Sequence, residues 1–146
     1  MDRTFDAEGC ITCLARAKRD GAATLPTYSR DLQDPVPGGV QLRPQSELVL
    51  VEGNYLLMNG EEHDRGRWMA LDALWDERWF VRCADAAGQR QRVIRRHWEN
   101  DWSAEQDRVW GPGIEGAAKR ADANDVLNME LIAPCEAYAE RVIMSI

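Results

Sequence analysis

The chain has 146 residues, 45% of them apolar, and a formal net charge of −7. That length suits one domain with a real core, and the acidic balance argues against general nucleic-acid binding, which needs a basic surface. No apolar run approaches the ~18 residues of a membrane span, and the charged start M-D-R-T-F-D-A-E-G has no signal-peptide h-region, so a cytoplasmic protein with no membrane partner is expected.

In chain order, Phe5–Arg19 reads as a helix, with Cys10, Ile11, Leu14 and Ala17 at helical spacing and Asp6 or Thr4 as cap. Cys10 and Cys13 form a literal C-x-x-C. It sits inside a helical pattern with no strand before it and no second C-x-x-C, so two small residues on a helix face are expected rather than a redox or zinc site. Residues 22–46 carry Pro26, Pro35, Pro37, Pro44 and Gly38-Gly39, which predicts a long ordered loop or a short two-stranded excursion.

The apolar run Leu48–Glu52 predicts a strand buried on both faces, typical of parallel sheets. Glu52 falls where that strand would end, and in open α/β sheets ligands bind outside the strands' carboxyl ends. Trp68–Trp75 shows helical spacing, and Trp79–Cys83 reads as another buried strand. Asp85 would cap a helix running to about Asn100. Ser103-Ala-Glu-Gln106 is a capping-box pattern. Trp110–Gly116 reads as a turn, Val126–Ala139 as a helix bent near Pro134, and Arg141–Ser145 as a final strand. Strands alternating with helices predict an α/β fold with a parallel sheet flanked by helices.

A local basic cluster stands out on this acidic chain. Arg90, Arg92, Arg95 and Arg96 precede His97, and Arg92 and Arg96 are at i, i+4, on one helix face. Such a cluster suits a small anionic ligand. The alternative for any arginine run is a solvated helix face.

The segments T-F-D-A-E-G (4–9), L-P-T-Y-S-R-D-L-Q-D-P-V-P-G (25–38), V-L-V-E-G-N-Y-L-L (49–57), L-D-A-L-W-D-E-R-W-F-V (71–81), R-Q-R-V-I-R-R-H (90–97) and D-V-L-N (125–128) together resemble the P-loop small-molecule kinases of the phosphoribulokinase, uridine kinase and pantothenate kinase superfamily. The resemblance implies a single domain, residues 1–146, forming the C-terminal three-quarters of a nucleoside kinase-like P-loop NTPase fold. It implies transfer of the γ-phosphoryl group of ATP, with Mg²⁺, to a hydroxyl of a small sugar- or nucleoside-like acceptor.

By the same resemblance, Glu52 would hold the metal and serve catalysis, and Arg92 and Arg96 would stabilise the transferring phosphoryl group. Asp6, Tyr28, Arg30 and Tyr55 would line the acceptor side, and Asn128 would contact the adenine. Asp6 reads equally well as a helix cap, and Tyr55 as core.

The sequence departs from the family in one large respect. No G-x-x-x-x-G-K-[ST] is present, and the only lysines are Lys18 and Lys119. Gly111-Pro-Gly113-Ile-Glu-Gly116 is a literal G-x-G-x-x-G, but it follows a helix and carries an acidic residue, so it reads as a turn. The chain alone is therefore expected to be inactive towards ATP. The alternative is a complete, non-catalytic remnant acting as a binding or interaction module. The missing first strand would also leave an exposed apolar edge, so association into homo-oligomers is expected.

Overall fold

In the computed structural model, residues 6–29, 32, 34–58 and 66–145 are described. The chain divides into two compact units, Met1–Asp76 and Glu77–Ile146.

The first unit begins with helix α1, Ala7–Asp20. Asp6 starts it by accepting a hydrogen bond from the Gly9 amide at 2.9 Å, and Gly21 ends it in the left-handed region at φ 66°. Ala7 and Ala17 are its buried positions. Strands β1 (Ala23–Ser29) and β2 (Asp34–Leu42) follow as an antiparallel pair. The proline-rich stretch is thus the two-stranded excursion rather than a loop. Its register shifts between Leu25 and Thr27, at Pro26, which has no N–H to offer a ladder. Gly39 lies against Thr27 so closely that a Cβ there would overlap the threonine side chain.

Met69–Leu74 forms a 3₁₀ helix beside α1. Lys18 ties the two by donating to the Leu74 carbonyl at 2.8 Å and to Asp76 at 2.9 Å. Leu71, Met58, Trp68 and Tyr55 are buried.

Leu48–Glu52 departs from expectation. It belongs to no sheet, and Leu48, Val49, Leu50 and Val51 are all exposed. An apolar, β-branched run has the propensity for a strand, but a ladder needs a neighbour with which to exchange backbone hydrogen bonds. No such neighbour lies beside it among the described residues.

The second unit holds strand β3 (Trp79–Cys83) and strand β4 (Arg141–Ser145), paired in parallel with Trp79 opposite Arg141 and Cys83 opposite Ser145. Between them run helices α2 (Ala86–Arg96), α3 (Ala104–Trp110), α4 (Gly113–Arg120) and α5 (Val126–Ile132). The expected parallel sheet is therefore present as two strands, not three, and the other sheet is antiparallel. The architecture is mixed α/β with small sheets.

Caps fall where the polar residues predicted them. Asp85 accepts from the Gly88 amide at 2.6 Å, and Ser103 from the Gln106 amide at 3.4 Å. The turn expected at 110–116 is shorter than its seven-residue span suggested, because α4 already begins at Gly113. Gly111 and Gly113 have φ of 93° and 68°, which makes the break. A Cβ at Gly116 would overlap the Gly111 carbonyl and crowd the Trp102 ring.

Two π-helical stretches interrupt the helices, His97–Asp101 after α2 and Ala121–Asp125 between α4 and α5. A π turn withdraws a backbone N–H from the i−4 carbonyl. In each stretch an asparagine amide serves that carbonyl instead: Asn100 donates to Arg96 O at 3.2 Å, and Asn124 to Arg120 O at 3.3 Å. His97, buried, opens the first stretch, and Asp125 closes the second. Their side chains meet at 2.9 Å. Ile94, Ala117 and Ala121 form the core between α2 and α4, with Val93, Trp102 and Ala118 packed on it.

Candidate functional site

β3 and β4 run parallel, so Cys83 and Ser145 end both strands at one edge. That edge is where ligands bind in parallel α/β sheets. Asp85 caps α2 two residues beyond Cys83, and about two helical turns later Arg92 returns to the same edge. Its Nη1 donates to Ser145 Oγ at 2.8 Å and contacts Cys83 Sγ at 3.6 Å. A shallow groove beside it is lined by Cys83, Gln89, Arg92, Val93, Arg95, Arg96, Glu99 and Asn100.

The four arginines of the cluster separate by partner. Arg90 makes a bidentate pair with Asp122 at 2.6 and 2.7 Å, which holds the Asp122 carboxyl below the ordinary carboxylate range. Arg95 lies 3.8 Å from Glu99 one turn on. Arg92 and Arg96 have no carboxylate partner among the described residues. They leave two uncompensated guanidinium groups in one groove at the carboxyl edge of a parallel pair.

The remaining sequence candidates are placed as follows. Asp6 is the exposed cap of α1. Tyr28 is exposed on β1, opposite Pro35. Glu52 is exposed at the end of the unpaired apolar run. Tyr55 is buried, its ring 6.1 Å from that of Trp68, which is the packing role rather than a cleft wall. Arg30 lies outside the described residues. Asn128 is half-buried on α5. The structure thus brings Arg92 and Arg96 into one groove, while Asp6, Tyr28, Glu52 and Tyr55 belong to the first unit. Ser145 and Cys83 were not among the sequence candidates. The signal that could have found them is positional: each is the last residue of a parallel strand.

The residues can be tested against the groups the resemblance implies. Among the described residues, no three His, Cys, Asp or Glu side chains cluster to form a metal cage. Magnesium in phosphate-transfer sites commonly takes one or two carboxylates, with water and phosphate oxygens completing its shell, and an exposed Glu52 meets that demand. For ATP, the guanidinium donors fit a phosphate group. A lysine-bearing cradle for a whole triphosphate does not fit, since Lys18 is committed to Leu74 and Asp76 and Lys119 lies beside Gly111.

Comparison with known proteins finds relatives with kinase or kinase-like names and, at 34% identity over 93 residues, an uncharacterized protein of Escherichia coli. The chain is 35% identical over 99 residues to an ATP-dependent kinase-like protein of Aspergillus versicolor, covering 64% of this chain and 54% of that protein. It is 26% identical over 131 residues to a protein provisionally named a uridine kinase in Schizosaccharomyces pombe, covering 88% and 50%. It is 23% identical over 134 residues to an ATP-dependent kinase of Zygosaccharomyces rouxii, covering 87% and 32%. The chain spans about half the length of the first two. No family model and no solved structure matches it.

Proposed function

We propose that the chain is a kinase-like protein whose second unit binds a phosphate-bearing small molecule at the carboxyl edge of β3 and β4. The observation that carries this reading is the pair Arg92 and Arg96, uncompensated by carboxylates and held at that edge, on a chain whose named relatives are kinases and kinase-like.

In this reading Arg92, oriented by Ser145, and Arg96 supply charge-assisted donors to phosphate oxygens. By the resemblance alone, Glu52, in the first unit, is read as the carboxylate that a magnesium shell takes from protein. Magnesium, when bound, neutralises phosphate charge. Tyr28, Arg30 and Asp6 serve the hydroxyl-bearing acceptor, of sugar or nucleoside type, and Asn128 the base. The finer reading is a uridine kinase or phosphoribulokinase type of phosphotransferase on a P-loop NTPase fold. Because the triphosphate cradle is absent from these residues, the chain by itself binds phosphate groups without turning ATP over.

Isothermal titration of the 146-residue chain with pyrophosphate and with Mg·ADP tests the site. Arg92→Ala should weaken binding about 10- to 100-fold, the value of a charged hydrogen bond. Arg90→Ala and Arg95→Ala, whose cations are already paired, should change it little. Equal losses from all three would mean diffuse charge, not a site. Turnover of Mg·ATP with a nucleoside and sugar panel, abolished by Glu52→Gln, would overturn the expectation of inactivity.

A further inference from the structure

The groove at the carboxyl edge of β3 and β4 is not evenly cationic. Gln89, Arg92 and Arg96 on α2, and Glu99 and Asn100 on the π-helical stretch after it, follow at near-helical spacing and all line it, together with Arg95. Three guanidiniums against one carboxylate leave the lining with a formal charge of +2. A phosphate monoester carries about −1.5 to −2 at pH 7 and matches that charge. A di- or triphosphate exceeds it. Glu99 is only loosely occupied. Its contact with Arg95 is 3.8 Å long, and the two side chains are 59% and 76% exposed, a geometry worth little. Asn100 spends an amide N–H on the Arg96 carbonyl at 3.2 Å, which leaves its amide oxygen as an acceptor.

We infer that Glu99 is a specificity-determining residue of this groove, selecting a phosphate monoester on a hydroxyl-bearing carbon skeleton over an oligophosphate. The inference deepens the phosphate-binding reading and rests on it. Arg92 and Arg96 take the phosphate oxygens. One turn further on, Glu99 and the Asn100 oxygen accept from hydroxyl groups, which bring donors without charge. A second phosphate in that place would set its oxygens against a carboxylate, like charge against like. Gln89, at the other end of the stripe, offers a donor and an acceptor and adds no charge. Charge is thus read in the middle of the groove and hydroxyls at its ends.

Isothermal titration of the full chain with three ligands tests this: propyl phosphate, glycerol 3-phosphate, which adds two hydroxyls at the same charge, and pyrophosphate. Glycerol 3-phosphate should bind about fivefold tighter than propyl phosphate. Glu99→Ala should erase most of that advantage. Glu99→Gln, which keeps hydrogen bonding without the charge, should retain part of it and tighten pyrophosphate about two- to fivefold. Position 99 is exposed, and should either variant lose its circular-dichroism spectrum, the comparison of the three ligands on the unsubstituted chain decides. Arg92→Ala reports on the underlying reading. If no ligand binds, or if Arg92→Ala weakens none of them, the phosphate site and this inference fall together. If all three bind through Arg92 but glycerol 3-phosphate and propyl phosphate bind equally, or Glu99→Gln leaves pyrophosphate unchanged, the selectivity falls and the phosphate site stands.

Discussion

Arg92 shows how one side chain acquires a role its neighbours lack. Arg90 and Arg95, on the same helix, spend their charge on Asp122 and Glu99. Arg92 meets only a hydroxyl and a thiol. These neutral partners orient the guanidinium without cancelling it. Serine and cysteine at the strand ends therefore matter as much as the arginine. Ser145→Ala should leave the charge and loosen its position, so pyrophosphate affinity should fall severalfold, less than for Arg92→Ala, in the same titration. His97 is a different case. It is buried against Asp125, and both belong to π-helical stretches. That contact ties the two π-helical stretches to each other. His97→Ala removes packing and leaves a half-buried carboxylate without its donor, a loss of about 2–3 kcal/mol. Urea denaturation checks this, and His97→Gln, whose amide can reach the same oxygen, should recover part of it.

At the scale of elements, the strands teach what pattern can and cannot settle. Trp79–Cys83 and Arg141–Ser145 were legible as strands, and Asp85 and Ser103 as caps, because propensity and capping are local. Leu48–Glu52 reads as strongly as either strand and yet pairs with nothing, because a ladder depends on a neighbour and no local pattern reports one. The π stretches were illegible for a similar reason. They depend on the asparagine amides at 100 and 124 finding the carbonyls at 96 and 120. Gly116 carries the close contact of α4 with the Gly111–Gly113 break, so Gly116→Ala should cost about 1–3 kcal/mol by overpacking, read as a lowered melting temperature. The approach to β4 is tied by Glu140, which accepts from the Arg78 side chain at 2.8 Å and from its backbone amide at 3.2 Å. These bonds hold the Glu140 carboxyl below its ordinary value. A lowered carboxylate pKa adds stability that is fully present above the unfolded value and is lost as pH falls through the folded one. Acid should therefore loosen the β3–β4 pair below the ordinary glutamate range. Glu140→Gln should flatten that dependence in a pH series of melts.

At the scale of the molecule, the chain consists of two units with different chemical character. The first carries a capped helix, a hairpin and an exposed apolar run framed by glutamates. The second carries a parallel pair with two uncompensated arginines at its carboxyl edge. The candidate site was legible in part. The i, i+4 spacing singled out Arg92 and Arg96, but which arginines of the run are neutralised depends on Asp122 and Glu99, one of them 32 residues from its partner. The kinase likeness of the relatives and the arginine pair point to the same chemistry, recognition of phosphate. The most direct test is a titration of the whole chain with pyrophosphate, followed by NMR of the arginine side-chain Nε–H groups. The Arg92 and Arg96 signals should shift together and saturate at one midpoint, with the Cys83 and Ser145 amides moving alongside. Shifts confined to Arg16 and Arg43, which line a separate depression in the first unit, or spread evenly over every arginine, would contradict a phosphate site at the edge of β3 and β4.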